Sequence, residues 1–245
     1  MDCWAIPCII ELMSNPKSFR GFYRVIDSPK DWKPLLAEPE KHWRTGYSAK
    51  ALAHCWQESR NFPSEVRRVF RRSGINIFQD IEMLVAFPEY KVPLPGGRRA
   101  SQSDIFILAK GAGQLVSIMV EGKVSEPFGD TIAVWKTRSG RGKEDRFKYL
   151  CNLLELDPVS VDHVRYQLLH RTASALIEAK KFNAPNALML VHSFSRENEW
   201  FEDYQQFLAL FGVVGKIDSL VFAKNIDEVR LYFGWVKGNE KYLCK

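Results

Sequence analysis

Long apolar runs are missing from this 245-residue chain, and no stretch approaches the ~18 consecutive apolar residues of a membrane span. Nor does a basic segment leading into an apolar run of secretory length follow Met1 and Asp2. The expectation is a cytoplasmic protein with no membrane partner. Cysteine is sparse: Cys3, Cys8, Cys55, Cys151 and Cys244 are odd in number and scattered, which speaks against a disulfide framework or a cysteine zinc site and for reduced thiols. A glycine-rich phosphate loop, a Gly-x-Ser-x-Gly elbow and a histidine pair at zinc spacing are all absent, which removes the commonest nucleotide-binding, esterase and zinc-hydrolase classes. His42, His54, His163 and His192 therefore read as structural or exposed. Without repeats or low-complexity linkers, the chain is expected to form one domain over 1–245, with residues 1–24 and the strands within 216–245 as additions. The first of these carries an apolar patch, Ile6 to Met13.

What is present is an ordinary folding composition, with 46% hydrophobic and 26% charged residues, and a moderately basic balance of +6. The basic residues are concentrated in two runs. Arg60, Arg67, Arg68, Arg71 and Arg72 form one; Lys136, Arg138, Arg141, Lys143, Arg146 and Lys148 form the other. Each is either a solvated face or a set of phosphate contacts, with Arg67, Arg68, Arg71, Arg72, Arg138, Arg141 and Lys143 as the candidate nucleic-acid-binding residues.

The most informative stretch runs from Ser103 to Lys123, where an apolar segment opening on Asp104 turns at Gly111 to Gln114 into another ending Glu121-Gly122-Lys123. A turn centred between Ala112 and Gly113 sets Asp104 opposite Glu121, with Cβ atoms roughly 5 Å apart. Strand alternation puts Lys123 on the face of Glu121. Ile105, Ile107, Val116, Ile118 and Val120 share one face and Phe106, Leu108 and Met119 the other, so the hairpin is covered on both sides. Two facing buried carboxylates repel unless a cation or lysine compensates them, and trimming either should relieve that repulsion. Acid-x-Lys triplets also arise by chance; Asp31 to Lys33, Glu89 to Lys91 and Glu178 to Lys180 are the others. Only Glu121 to Lys123 ends a strongly apolar strand with an acid set opposite.

Around this hairpin, a helix is expected from Ser28-Pro29, another over Ser48 to Ser59, and a third carrying the arginine run from Pro63 to Gly74. A strand is expected from Ile81 to Phe87, then the turn Pro93 to Gly97. Residues 124–157 look inserted. The longest helix, Val161 to Phe182, buries Leu168, Thr172, Ala175, Leu176 and Ala179 and gathers Gln167, His170, Arg171, Ser174 and Glu178 on another face. That polar face is either solvated or part of a site. A buried strand Ala187 to Val191, a helix Glu197 to Leu210 and two terminal strands from Ser219 to Trp235 complete the reading.

This arrangement resembles the PD-(D/E)XK phosphodiesterase superfamily, with Asp104, Glu121 and Lys123 matching its motif and Ser103 standing where the motif has proline. Residues 25–212 resemble an uncharacterised bacterial family of that type. The resemblance implies an α/β fold, a restriction-endonuclease-like three-layer αβα core with a central mixed sheet. It also implies a metal-dependent nuclease in which Asp104, Glu121 and the Gly122 carbonyl hold Mg²⁺, replaceable by Mn²⁺. Glu82 is the candidate further ligand, with Glu65 and Glu58 behind it. Lys123 would orient the attacking water, and Gln167 and Arg171 would touch phosphate. Double-stranded DNA is the expected partner, and a homodimer is compatible. The alternatives are a catalytically inactive protein of that fold that binds nucleic acid or a partner protein, and an adaptor using the aromatic tail.

Overall fold

In the computed structural model, residues 26–59, 61–138, 140 and 142–245 are described. The apolar patch Ile6 to Met13, Arg60 and Arg141 therefore lie outside the described residues.

The Gly111–Gln114 turn sets the register of the sheet. Ala112 (φ 44°) and Gly113 (φ 77°) both take the left-handed conformation that a two-residue hairpin requires. It joins β2 (Ser101–Gly111) to β3 (Gln114–Lys123) in the expected pairing, Ile107 opposite Ile118. β1 (Glu82–Val92) adds antiparallel on the outside of β2. On the other side β3 pairs in parallel with β4 (Asn186–Ser193), β4 in parallel with β6 (Val229–Lys237), and β5 (Ser219–Ile226) closes antiparallel. The order is β1-β2-β3-β4-β6-β5.

Helices cover both faces. On one lie α6 (Lys143–Leu154), α7 (Tyr166–Lys181) and α8 (Phe201–Ala209), around Phe106, Met119, Met189, Phe233 and Trp235. On the other lie α2 (Ser48–Gln57), α3 (Ser64–Arg72) and α4 (Asn76–Gln79), around Ile105, Ile107, Ile118, Val120 and Leu190. The alternation of apolar residues along β2 and β3 thus feeds two separate cores, which makes the fold a three-layer αβα sandwich with a mixed sheet. Two short helices, α1 (Pro39–His42) and α5 (Ile132–Thr137), flank one end of the sheet.

Several elements differ from expectation. Ser28 and Asp31 form the capping pair, but the segment is a 3₁₀ helix, Pro29–Leu35, because Pro34 cannot continue an α-helix. β1 runs through Pro88 to Val92, which an edge strand tolerates because its outward N–H groups have no partner to lose. Residues 124–157 are no mere insertion, since Phe147, Leu150 and Leu154 of α6 are buried against α7. β6 likewise sits inside the sheet, with Leu231, Phe233, Trp235 and Val236 fully buried, rather than added at its margin.

Gly111 marks the tightest backbone contact of the hairpin: a Cβ there would lie 2.0 Å from the carbonyl oxygen of Ile77. A carbonyl at the mouth of α4 cannot swing away as a side chain would. Gly111→Ala is expected to destabilise by roughly 2–4 kcal/mol in urea unfolding. Gly113→Ala, which faces open space, should cost only about 1–2 kcal/mol for its left-handed φ.

Candidate functional site

The site arises where β2 and β3 part. Their ladder stops at Ile105 opposite Val120, one pair short of Asp104 and Glu121. Beyond that point β2 stays with β1 as far as Ser101 opposite Val92, while β3 stays with β4 as far as Lys123 opposite Ser193. Asp104 and Glu121 are therefore not the directly paired cross-strand partners expected from the turn. Instead the Asp104 side chain enters the fork, and its Oδ2 accepts the N–H of Gly122 at 2.6 Å. A Cβ on Gly122 would press within 3.2 Å of Leu52 and 3.3 Å of that Asp104 oxygen, so the residue between Glu121 and Lys123 has no room for a side chain. β3 is also where antiparallel pairing gives way to parallel, and crevices beyond the carboxyl ends of strands at such switches favour ligand sites.

The fork opens into a cavity of about 750 Å³, lined by Glu89, Asp104, Glu121, Lys123, Gln167 and Arg171 among others. α7 supplies the polar wall. Arg171 Nε donates to Glu121 Oε2 at 2.6 Å, Gln167 Nε2 to Oε1 at 2.6 Å, and Lys123 Nζ to Oε1 at 2.9 Å. Lys123 also donates to Gln167 Oε1 at 3.0 Å. Glu121, Lys123 and Arg171 are 2%, 3% and 7% exposed, which makes this a buried charge network. The rest of the polar stripe of α7 faces β1 and β2: His170 Nδ1 meets Ser101 Oγ at 2.8 Å, Ser174 donates to Ser101, and Glu178 accepts from Tyr90. Burial and the Arg171 charge hold His170 well below the usual imidazole range, so it is neutral here.

The acids are not equivalent. Burial works to raise Glu121, but Arg171 and Lys123 overcome it and leave its pKa below the ordinary carboxylate value. Asp104 is raised well above it, by burial and then by the charges of Glu121 and Glu89. Its Oδ1 receives no hydrogen bond from the described residues. The third acid, Glu89, is pushed up to about 7, chiefly by burial, despite the hydrogen bond from Gln102 and the Arg171 charge. Gln102 Nε2 donates to Glu89 Oε2 at 2.7 Å.

Glu89 reaches this position through a local break in β1. Phe87 and Tyr90 both stack on Phe106, with centroids 6.0 and 4.7 Å away, although an odd spacing should send them to opposite faces. Glu89 absorbs the reversal with φ 52°, a left-handed conformation costing ~1–2 kcal/mol in a non-glycine residue. Glu82, the expected further ligand, lies exposed opposite Lys110 near the hairpin end, some six residues or roughly 20 Å along the strand from Asp104. It is separated from the cavity by the length of β2. Glu58 pairs with Tyr242, Lys241 and Lys245 on the surface.

Glu65 belongs to a second buried cluster, on the opposite face. Among the described residues, Cys55, Glu65 and His192 are the only three acid, histidine or cysteine side chains whose ligating atoms all lie within 4.8 Å of one another. Trp56 Nε1 donates to His192 Nδ1 at 3.1 Å, which places the imidazole proton on Nε2, 3.7 Å from Glu65 Oε1. That tautomer has no lone pair to offer a cation from Nε2. The Cys55 thiol is pushed up by burial and by the Glu65 charge, and it donates to Glu65 at 3.4 Å.

The two basic runs part company in the structure. In the second, Arg138 pairs with Asp130, Lys136 with Asp162 and Lys148 with Glu144; Lys143 donates to the carbonyls of Trp135 and Arg138, and Arg146 is buried on those of Leu94 and Pro95. In the first, Arg68 pairs with Asp218, while Arg67, Arg71 and Arg72 project from the exposed face of α3.

The sequence profile of the domain of unknown function DUF6946 matches residues 25–240. The chain belongs to that family. No curated protein and no solved structure matches it. Membership spans both the fork and the helix that faces it, so all the elements of the site fall within the family domain.

Two expectations follow from the unequal acids. Glu89 binds its proton up to about pH 7 when folded, against an ordinary glutamate value of 4.5; the folded state then holds more protons than the unfolded one between those values, and stability falls as pH rises through that window. Glu89→Gln should accordingly stabilise at pH 8 by roughly 1–2 kcal/mol and at pH 4 hardly at all, read by urea unfolding at both values. Trimming Glu121 has the opposite sign from trimming Asp104, which revises the expectation that either change relieves repulsion. Glu121→Ala strands Arg171 and Lys123 in a buried site and should cost about 3–5 kcal/mol, whereas Asp104→Asn should leave stability unchanged or increase it.

Proposed function

We propose that this protein is a divalent-metal-dependent phosphodiester hydrolase acting on nucleic acid, with DNA as the preferred polymer. The observation that carries the reading is the Asp104 carboxylate, held in a solvent-reachable fork beside two further acids with one backbone donor as its only hydrogen-bonding partner among the described residues. Formally, Glu89, Asp104 and Glu121 outnumber Lys123 and Arg171 by one charge, so the fork carries a net negative charge that attracts a small oxygen-preferring cation. The resemblance to the PD-(D/E)XK superfamily supports the same reading.

The donor set fits Mg²⁺, which takes few carboxylates and retains waters. Asp104 Oδ1 and the one acceptor direction of Glu121 not filled by Arg171, Gln167 and Lys123 would hold it, with the Gly122 carbonyl as a further oxygen. When bound, such an ion supplies Lewis-acid polarisation of a phosphoryl oxygen and a more acidic water. The residues of the chain do the rest. Lys123, fixed by Glu121 and Gln167, presents an ammonium at the cavity wall where negative charge grows on a phosphorane. Arg171 neutralises Glu121 and keeps α7 seated on β3, and Gln167 holds the lysine in place. Glu89, whose pKa of about 7 leaves it half-protonated near neutral pH, is suited to exchange a proton with water or with a leaving oxygen.

Cleavage of labelled duplex DNA with Mg²⁺ or Mn²⁺ is the decisive assay. Asp104→Asn, Glu121→Gln and Lys123→Ala should each lower the rate at least ~100-fold, as loss of one electrostatic stabiliser does. Calorimetric titration with Mn²⁺ should give heat that Asp104→Asn abolishes. Metal and duplex binding without cleavage under any divalent condition would instead identify a binding protein that keeps the fold.

A further inference from the structure

Among the described residues, the run from Lys136 to Lys148 is compensated within the fold while in the α3 run only Arg68 is, and this difference points to a second phosphate-binding surface. α3 buries Glu65, Val66, Val69 and Phe70 and turns Arg67, Arg68, Arg71 and Arg72 outward along two adjacent helical rows. Ser64 and these four arginines line one shallow depression. Arg68 is tied to Asp218 at 3.1 Å, and the other three guanidiniums have no hydrogen-bonding or ion-pair partner among the described residues. Like charges crowded on a helix repel, and nothing in the packing of α3 uses them.

The placement relative to the fork is specific. Lys123 pairs with Ser193 and Ser193 with Lys237, whose N–H donates to Asp218, the partner of Arg68. Two inter-strand steps plus two side chains put the Arg68 head roughly 15–20 Å from Lys123, along the same end of the sheet but on its α3 face. The arginine rows extend from there, with Arg67 and Arg71 about 6 Å apart, one turn along the helix.

We infer that the outer face of α3 is an exosite for the phosphodiester backbone of a polymeric substrate, several nucleotides from the bond held at the fork. The inference rests on the hydrolase reading for its choice of polyanion. Planar guanidiniums with free donor edges match phosphate oxygens, and a surface this far from the fork is useful only to a ligand long enough to span both.

The test uses a fluorescein-labelled 20-base-pair DNA duplex and the full chain in EDTA, so that binding is read without cleavage, by anisotropy across 50–300 mM NaCl. Arg67→Gln/Arg71→Gln/Arg72→Gln leaves the Arg68–Asp218 pair intact and should melt as wild type does. It is expected to bind at least ~10-fold more weakly at 100 mM salt, with a log–log salt slope flatter by about 2–3. Unchanged affinity and slope in the triple variant would overturn the exosite. So would absence of duplex binding by wild type, or binding of polyglutamate that depends on these arginines while duplex binding does not. If wild type binds the duplex through the arginines yet cleaves nothing with Mn²⁺, the hydrolase reading fails and the exosite stands.

Discussion

The buried pairing of Glu121 with Arg171 joins the central strand β3 to α7, and the arrangement of the site depends on it. An ion pair at this depth is weak evidence for stability, because desolvating both charges offsets most of their attraction, but removing one partner is costly. Its value lies in geometry. With Glu121 also accepting from Gln167 and Lys123, four side chains from two elements are held in one constellation, and Lys123 cannot swing away without leaving an acceptor unfilled. The polar stripe of α7 that looks out of place on a buried helix is thereby accounted for from Gln167 to Glu178.

That network satisfies one carboxylate and leaves the others short of donors. Among the described residues, Glu121 has three donors on its two oxygens, while Asp104 has one and Glu89 has the Gln102 amide. The contrast follows from the fork: past Ile105 and Val120 there is no strand-to-strand ladder to supply backbone donors, and the space is reachable by solvent. The same divergence that opens the cavity therefore sets the acids apart in proton affinity, which is the condition under which neighbouring carboxylates take different roles.

How much of this was legible in the sequence differs by element. The hairpin could be read because its turn chemistry fixes register, and Gln167 and Arg171 because helical spacing groups them. The parting of β2 and β3 could not, since nothing in the residue pattern says where a ladder stops. Glu89 was hidden by Pro88, which reads as the end of a strand and here lies inside an edge strand; had β1 been extended, its register would have carried Glu89 to Asp104. The inner position of β6 depends on parallel pairing with a strand some forty residues earlier, which no local pattern encodes. The two basic runs look alike as composition, and only the fold shows that acids such as Asp130 and Asp162 reach one of them.

The kink in β1 has a consequence for how the molecules behave toward each other. β1 lies at the margin of the sheet with Leu84 and Val85 exposed, a combination that invites another chain to pair along it. Pro88 offers no N–H to an incoming strand, and the left-handed Glu89 turns the backbone out of plane just after it. The register also shifts between Met83 and Val85, so an approaching strand would find no long continuous row of donors and acceptors along β1. The residue that aims an acid into the fork thus also limits growth of the sheet from one molecule to the next.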